Sequence, residues 1–343
     1  MLMDFSEAHQ WAAGGRKANL LLGNGFSMAY DPQRFSYTAL ATQAIDEDRL
    51  PDTAVQLMNA SGRPDFEWVM RQLEATAETL STLDSTGHHA LVQQLRRDID
   101  MLREALAHSI AGLHPDRPFD IDEESYVRVR TFLDSFGSIY TVSYDLLLYW
   151  ALMQDLADHG DRRSDDGFRD SGVAGDETVL WNIYDSGTQN VHYLHGALHL
   201  FIGDDGLRKI TWKRTERALI DQVRDQLAAR RYPLYVAEAE SPTKLARINE
   251  SGYLTRALRS LASCSNRLVV LGHSLDPNDD HIFQAVVRST VARLSVSIFG
   301  DPNSDTNQLI QRRAHDLAVQ RKQTGKRTQL EVEFFDASSV PLW

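Results

Sequence analysis

At 343 residues the chain has room for two domains, or for one large domain with an insertion. Its hydrophobic content of 42% is that of a globular protein, and no apolar run approaches the roughly 20 residues that cross a bilayer, which excludes a membrane partner by helical insertion. A net charge of −12 argues against an exposed nucleic-acid surface, because phosphate contact calls for local Lys/Arg excess.

Taken in chain order, the opening Met1-Leu2-Met3-Asp4-Phe5-Ser6-Glu7 lacks a basic stretch followed by an apolar one, so no signal peptide is expected. The single cysteine, Cys264, can form no intrachain disulfide, and the two observations together predict a cytoplasmic protein. Residues 19–23 read as a buried strand running into a turn. Residues 65–83 predict a helix with Phe66, Val69, Met70, Leu73, Ala77 and Leu80 on one stripe. Residues 88–113 predict a stronger one, with Leu91, Leu95, Ile99, Leu102, Leu106, Ile110 and Leu113 at spacings of four and three. The range 40–130 is therefore read as a helical insertion or cap, leaving 1–39 and 131–343 as the main domain.

Strand character returns at 136–142 and a helix follows at 146–153. Residues 157–178 are rich in Asp, Arg, Gly and Ser and read as a long polar loop. Strands are expected at 191–194, 233–237, 268–271, 296–299 and 330–335, and helices at 215–230, 243–262, 279–293 and 306–321. Alternating strands and helices predict an α/β fold with a doubly wound, largely parallel, Rossmann-like sheet. The basic pairs Arg208-Lys209, Lys213-Arg214 and Arg230-Arg231 are scattered, and read as solvated faces rather than a phosphate-binding patch.

Gly23-Asn24-Gly25-Phe26-Ser27 follows a strand, the setting a phosphate loop requires, since glycines let backbone N–H groups approach a pyrophosphate. The full Gly-x-Gly-x-x-Gly pattern fails at Met28. On this reading Gly25→Val blocks the phosphate and leaves the fold intact. Gly272-His273-Ser274 also ends a strand, and its small residues suit a ribose or phosphate. Asp279 and Asp280 read as helix-start residues that favour the positive end of the dipole, in preference to a metal site with His281. His192, His195 and His199 have the spacing of metal ligands on a helix, but Gly196 and the surrounding composition favour strands, where that spacing scatters them over both faces. No metal is expected. Glu67 either favours the start of its helix or points into the cleft as a polar anchor.

In order along the chain, Gly23-Asn24-Gly25-Phe26-Ser27, Val142-Ser143-Tyr144-Asp145, His195-Gly196 and Gly272-His273-Ser274-Leu275 resemble the motifs of the sirtuin fold. The chain is more similar still to a bacterial sirtuin-like branch, on Asp166-Gly167-Phe168, Trp181 and Tyr193-Leu194-His195-Gly196-Ala197-Leu198. The resemblance implies NAD, or an ADP-ribose derivative, held by Gly23, Asn24, Gly25, Phe26, Ser27, Asp145, Gly272, His273 and Ser274. It implies His195 as catalytic base and Ser143 beside the reacting carbon, in the place where the branch carries Asn. It also implies NAD hydrolysis to ADP-ribose and nicotinamide in antiviral defence, with an activating protein partner and a homo-oligomer. A non-hydrolysing sensor that signals through the helical insertion is the alternative. The four-cysteine zinc site of protein-deacylating sirtuins cannot exist in a chain with one cysteine.

Overall fold

The computed structural model describes residues 2–13, 17–83, 87–154 and 164–343. Its strands in chain order are β1 (Asn19–Leu22), β2 (Ile139–Thr141), β3 (Phe168–Arg169), β4 (Thr178–Trp181) and β5 (Val191–Tyr193). They continue with β6 (Leu200–Gly203), β7 (Gly206–Ile210), β8 (Ser265–Leu271), β9 (Thr290–Ile298) and β10 (Glu331–Asp336). Six of them form a parallel sheet in the order β10-β9-β8-β1-β2-β5. The chain runs outward from β1 to β2 and β5, then returns to the other side of β1 for β8, β9 and β10. The reversal therefore falls between β1 and β8. Leu20, Leu21 and Leu22 are all fully buried. Successive strand residues face opposite ways, so this sheet is covered on both sides at its centre.

The helical segment between β1 and β2 includes helices Tyr37–Asp46, Asp52–Ser61, Phe66–Leu83, His89–Leu113 and Glu123–Asp134. The first long helix buries Phe66, Val69, Met70, Leu73 and Ala77 as its periodicity predicts. The second buries Leu95, Ile99, Leu102, Leu106 and Ile110, but Leu91 is exposed and Val92 takes the inward place.

Several expectations need correction. The polar stretch after residue 157 is more than a loop: residues 157–163 lie outside the described residues, and β3 and β4 then join β7 and β6 in a separate antiparallel sheet, in the order β3-β4-β7-β6. Its strands are too short, and β4 too uniformly half-buried, to carry an alternation signal. Three basic residues of that region are absorbed in ion pairs: Arg208 with Asp176 and Asp205, Lys209 with Asp166, Arg214 with Asp170. The expected strand at 233–237 is only one antiparallel bridge, Tyr235 to Gly196. The helix expected over 243–262 is two, Ser241–Asn249 and Gly252–Ala262, because Ser251 caps the second by accepting from Leu254 N–H. The helix after β8 is Asp280–Arg288, and β9 starts at Thr290, where β-branched residues resume.

No described helix is long and apolar enough to cross a membrane. Cys264 is free and buried, and burial pushes its thiol up to about 11.

Candidate functional site

Parallel strands end on one edge, and each predicted site segment follows such an end: 23–27 follows β1, 143–145 follows β2, His195 follows β5, and 272–274 follows β8. There they border a cavity of about 950 Å³. Asn24, Gly25, Ser143, Asp145, His195, Gly272, His273 and Ser274 reach its wall, as do Glu67, Leu106 and Ile110 from the helical segment. Gly23, Phe26 and Ser27 stand behind the lining. Phe26 is core, its ring 5.1 Å from that of Trp343.

Where β1 and β8 end, two backbones touch. Gly23 N–H donates to Leu271 O and Gly25 N–H to Gly272 O, both at 2.9 Å. A Cβ on Gly23 would lie 2.3 Å from Gly272 O, and one on Gly25 would lie 2.4 Å from Gly272 Cα. Gly272 itself has φ of +70°. These glycines are thus required by strand-to-strand contact, and the expectation that Gly25→Val spares the fold is wrong: its side chain would have to displace main chain. The first-turn N–H groups are also engaged, Phe26 N–H with Gly23 O and Ser27 N–H with Asn24 O. The Asn24 side chain donates to Phe35 O at 2.9 Å.

The end of β2 is organised around the buried Asp145 carboxylate. Ser143 Oγ donates to its Oδ2 at 2.5 Å, Ser27 Oγ donates to the same oxygen, and Leu147 N–H donates to Oδ1 at 2.8 Å. Beneath it His114 is buried and neutral, because burial lowers it to about 4. Its Nδ1 sits 3.0 Å from Pro115 O and its Nε2 accepts from Leu146 N–H at 3.2 Å, a pattern that fixes the proton on Nδ1.

The lining residues Glu67, His195, His273 and Asp279 belong to a cluster of ionisable side chains. Lys244, on helix Ser241–Asn249, is 1% exposed and donates to Asp279 Oδ1 at 2.9 Å and Glu67 Oε1 at 3.2 Å. Asn278 Nδ2 donates to the other oxygen of Glu67. His273 Nδ1 accepts from Leu275 N–H at 2.9 Å, which leaves its Nε2–H to face Asp279 Oδ2 at 3.2 Å. His195 Nε2 lies 2.9 Å from His281 Nε2 and 3.8 Å from Asp279 Oδ1. Asp279 therefore does not cap the helix that it precedes; Lys244 and the imidazoles hold it instead.

The chain belongs to the family described as "Domain of unknown function (DUF4917)", whose model matches residues 20–343. That span takes in every residue of the site. No curated protein matches the chain.

Electrostatics set the ionisable cluster apart further. Burial would lower Lys244, but Glu67 and Asp279 hold it above its ordinary value, so it remains an ammonium. Burial pushes Glu67 up to about 7 against the pull of Lys244. Asp279 is also buried, yet Lys244 and the His273 bond hold it well below the carboxylate range. Burial lowers His195 well below its ordinary value, and His281 to about 4, so both imidazoles are neutral at pH 7.

His192, His195 and His199 do not converge. The His192 ring stacks on Tyr140, and His199 packs against Tyr149 and Tyr193. Among the described residues, the group with metal-ligand spacing is His195, Asp279 and His281. The Lys244 ammonium sits on the Asp279 oxygen that a cation would need, so the donor set suits a proton network better than an ion. Glu67 takes the cleft-facing alternative read from the sequence; Asp279 and His281, read there as a helix start in preference to a metal site, join it, and Lys244 is the member that the sequence did not single out. Helix-start acids and a lone lysine carry no signal that would place them together.

Proposed function

We propose that this chain binds NAD in the cavity and cleaves its nicotinamide–ribose bond, with water as acceptor. The observation that carries this reading is convergence: four sequence segments, far apart in the chain, meet on one cavity wall at the carboxyl ends of parallel strands. Numbered within the parallel sheet alone, the strand order is 3-2-1-4-5-6, that of doubly wound dinucleotide-binding folds, whose ligands lie outside the strand ends at the point of reversal. The volume fits a ligand of nucleotide size.

In the reaction nicotinamide leaves with the bonding electron pair, and the ribose carbon becomes oxocarbenium-like before water adds to it. The proton lost by water goes to a base. His195 is the neutral imidazole available for that role on the cavity wall. Asp145, buried and negative among hydroxyl donors, lies where a cationic sugar gains from its field. Ser143 offers a hydroxyl in place of the amide expected by resemblance. The carboxyl ends of β8 and β9 supply small and hydroxyl-bearing residues, Gly272, Ser274 and Ser297, for ribose or phosphate.

A second reading has a specific observation in its favour. The N–H groups of Gly25, Phe26 and Ser27 already have protein acceptors, and Ser143 is held by Asp145. Such a pocket suits a sensor that binds NAD or ADP-ribose without turnover and signals through the helical segment, to which Glu67 connects it. A role in antiviral defence, an activating protein and a homo-oligomer rest on the resemblance alone. Purified protein incubated with NAD separates the readings: free nicotinamide, lost in His195→Ala, supports the hydrolase, whereas saturable binding without release supports the sensor.

A further inference from the structure

His195 does not stand alone behind the cavity wall. Its Nε2 is committed to His281 Nε2 at 2.9 Å, and the two rings meet end to end, with centroids 5.1 Å apart and planes inclined by 29°. One ring must donate in this bond and the other accept. On the far side, His281 Nδ1 lies 3.1 Å from Ser241 Oγ, and that same oxygen accepts from the His281 backbone N–H at 2.8 Å.

From this chain of contacts we infer that His281 is the proton acceptor behind His195, acting through it, with Ser241 as its anchor. The inference rests on the hydrolase reading. In the resting form His195 carries its proton on Nε2 and donates it to His281 Nε2, while His281 carries its own on Nδ1 and donates it to Ser241 Oγ. When His195 takes a proton from water at Nδ1, its Nε2 proton passes to His281 Nε2. His195 is then neutral again, and His281 is an imidazolium with both N–H groups bonded, one to His195 Nε2 and one to Ser241 Oγ. The serine oxygen has two lone pairs, enough for both His281 donors. No ring has to turn.

The gain is electrostatic. A cation on His195 would face the cationic sugar across the cavity, with Asp279 Oδ1 3.8 Å away, whereas on His281 it stands one ring further from that sugar and still within the field of Asp279. The groups facing the pair are Asp279, Lys244 and His273, with the Tyr144 ring alongside His195. Asp279 favours the charged form of both rings and Lys244 opposes it. Asp279 thus stabilises the imidazolium, and Lys244 keeps Asp279 ionised so that it can do so.

The test uses the full chain, labelled with ¹⁵N-histidine, and the variants His281→Asn and Ser241→Ala. Asparagine can fill the Nε2 hydrogen bond but cannot hold the charge. We expect His281→Asn to lower kcat for nicotinamide release by about 10–100-fold with KM within about threefold, and to change the acid limb of the pH–rate profile. Ser241→Ala should give a smaller loss of the same kind. The nitrogen shifts should show His195 as the Nε2–H tautomer and His281 as Nδ1–H, with His281 protonating first as pH falls. A kcat for His281→Asn within twofold of the parent overturns the inference. So does first protonation on His195, or titration with zinc showing a tight single ion that abolishes the shared proton. A parent that releases no nicotinamide defeats the hydrolase reading instead, and the nitrogen shifts still decide whether the shared proton exists.

Discussion

Where β1 and β8 end, the site is built from main chain: Gly25 and Gly272 on the cavity wall, and Gly23 behind them, touch backbone to backbone with no room for a Cβ. Beside it the site is built from side chains: His195, His273, Glu67 and Asp279 on the cavity wall, with Lys244 and His281 behind them, form one polar network. The first wall gets its shape from sterics and should tolerate changes of pH. The second gets its shape from charge, and the low dielectric that makes its bonds strong makes every unpaired member costly. A site with both has a fixed platform and a tunable chemical face.

The largest expected effect is that of pH on the whole chain, to which the charged wall contributes through His281 and Glu67. His281, His114 and His192 are each lowered to about 4 by burial. The folded chain therefore binds fewer protons than the unfolded one below the ordinary value of 6.5, so this stability is present above 6.5 and is lost as pH falls toward 4. Glu67, raised to about 7, has the opposite sign: it costs stability as pH rises from 4.5 to 7. Three imidazoles outweigh one carboxyl, so urea denaturation should show a net loss on the order of 5 kcal/mol between pH 6.5 and 4.

Next comes Lys244→Ala, which leaves two buried carboxylates facing each other. A loss of about 3–5 kcal/mol at pH 7 is expected, smaller at pH 5 where Glu67 is protonated. A loss that does not change with pH would mean that packing, and not charge, holds this wall. On the backbone wall, Gly25→Ala should cost about 1–3 kcal/mol or more at every pH, while Gly187→Ala, with open space around it, should be near neutral. Equal effects at the two glycines would break the comparison.

Legibility followed the same division. The glycine wall could be read because its residues are local in sequence: a buried strand running into Gly23-Asn24-Gly25, and another into Gly272-His273-Ser274. The structure adds a reason for the glycines that the sequence does not show, since close approach of two backbones and close approach of a phosphate call for the same residue. The charged wall drew on helix starts at 67 and 279–281 and a lysine at 244, whose meeting depends on how the helices dock around the sheet. Asp279 shows the limit well: at a helix start a carboxylate is expected to cap, and only the fold reveals that it turns inward to Lys244. The antiparallel sheet was missed because strands as short as β3 lack a period to detect.

The smallest structural change with a functional consequence is Ser143→Asn, which restores the amide expected by resemblance and reaches about one bond further. It should raise nicotinamide release, by roughly 10²-fold if reach limits the rate, with little change in stability.

Release of nicotinamide from NAD by the purified chain, measured beside His195→Ala and with calorimetric NAD binding to both, decides between turnover and binding alone. Turnover by the parent, loss of about 10²–10⁴-fold in the variant, and NAD affinity unchanged within a few fold are expected. Folded parent protein that neither binds NAD nor releases nicotinamide would contradict the proposal that this chain binds and cleaves NAD.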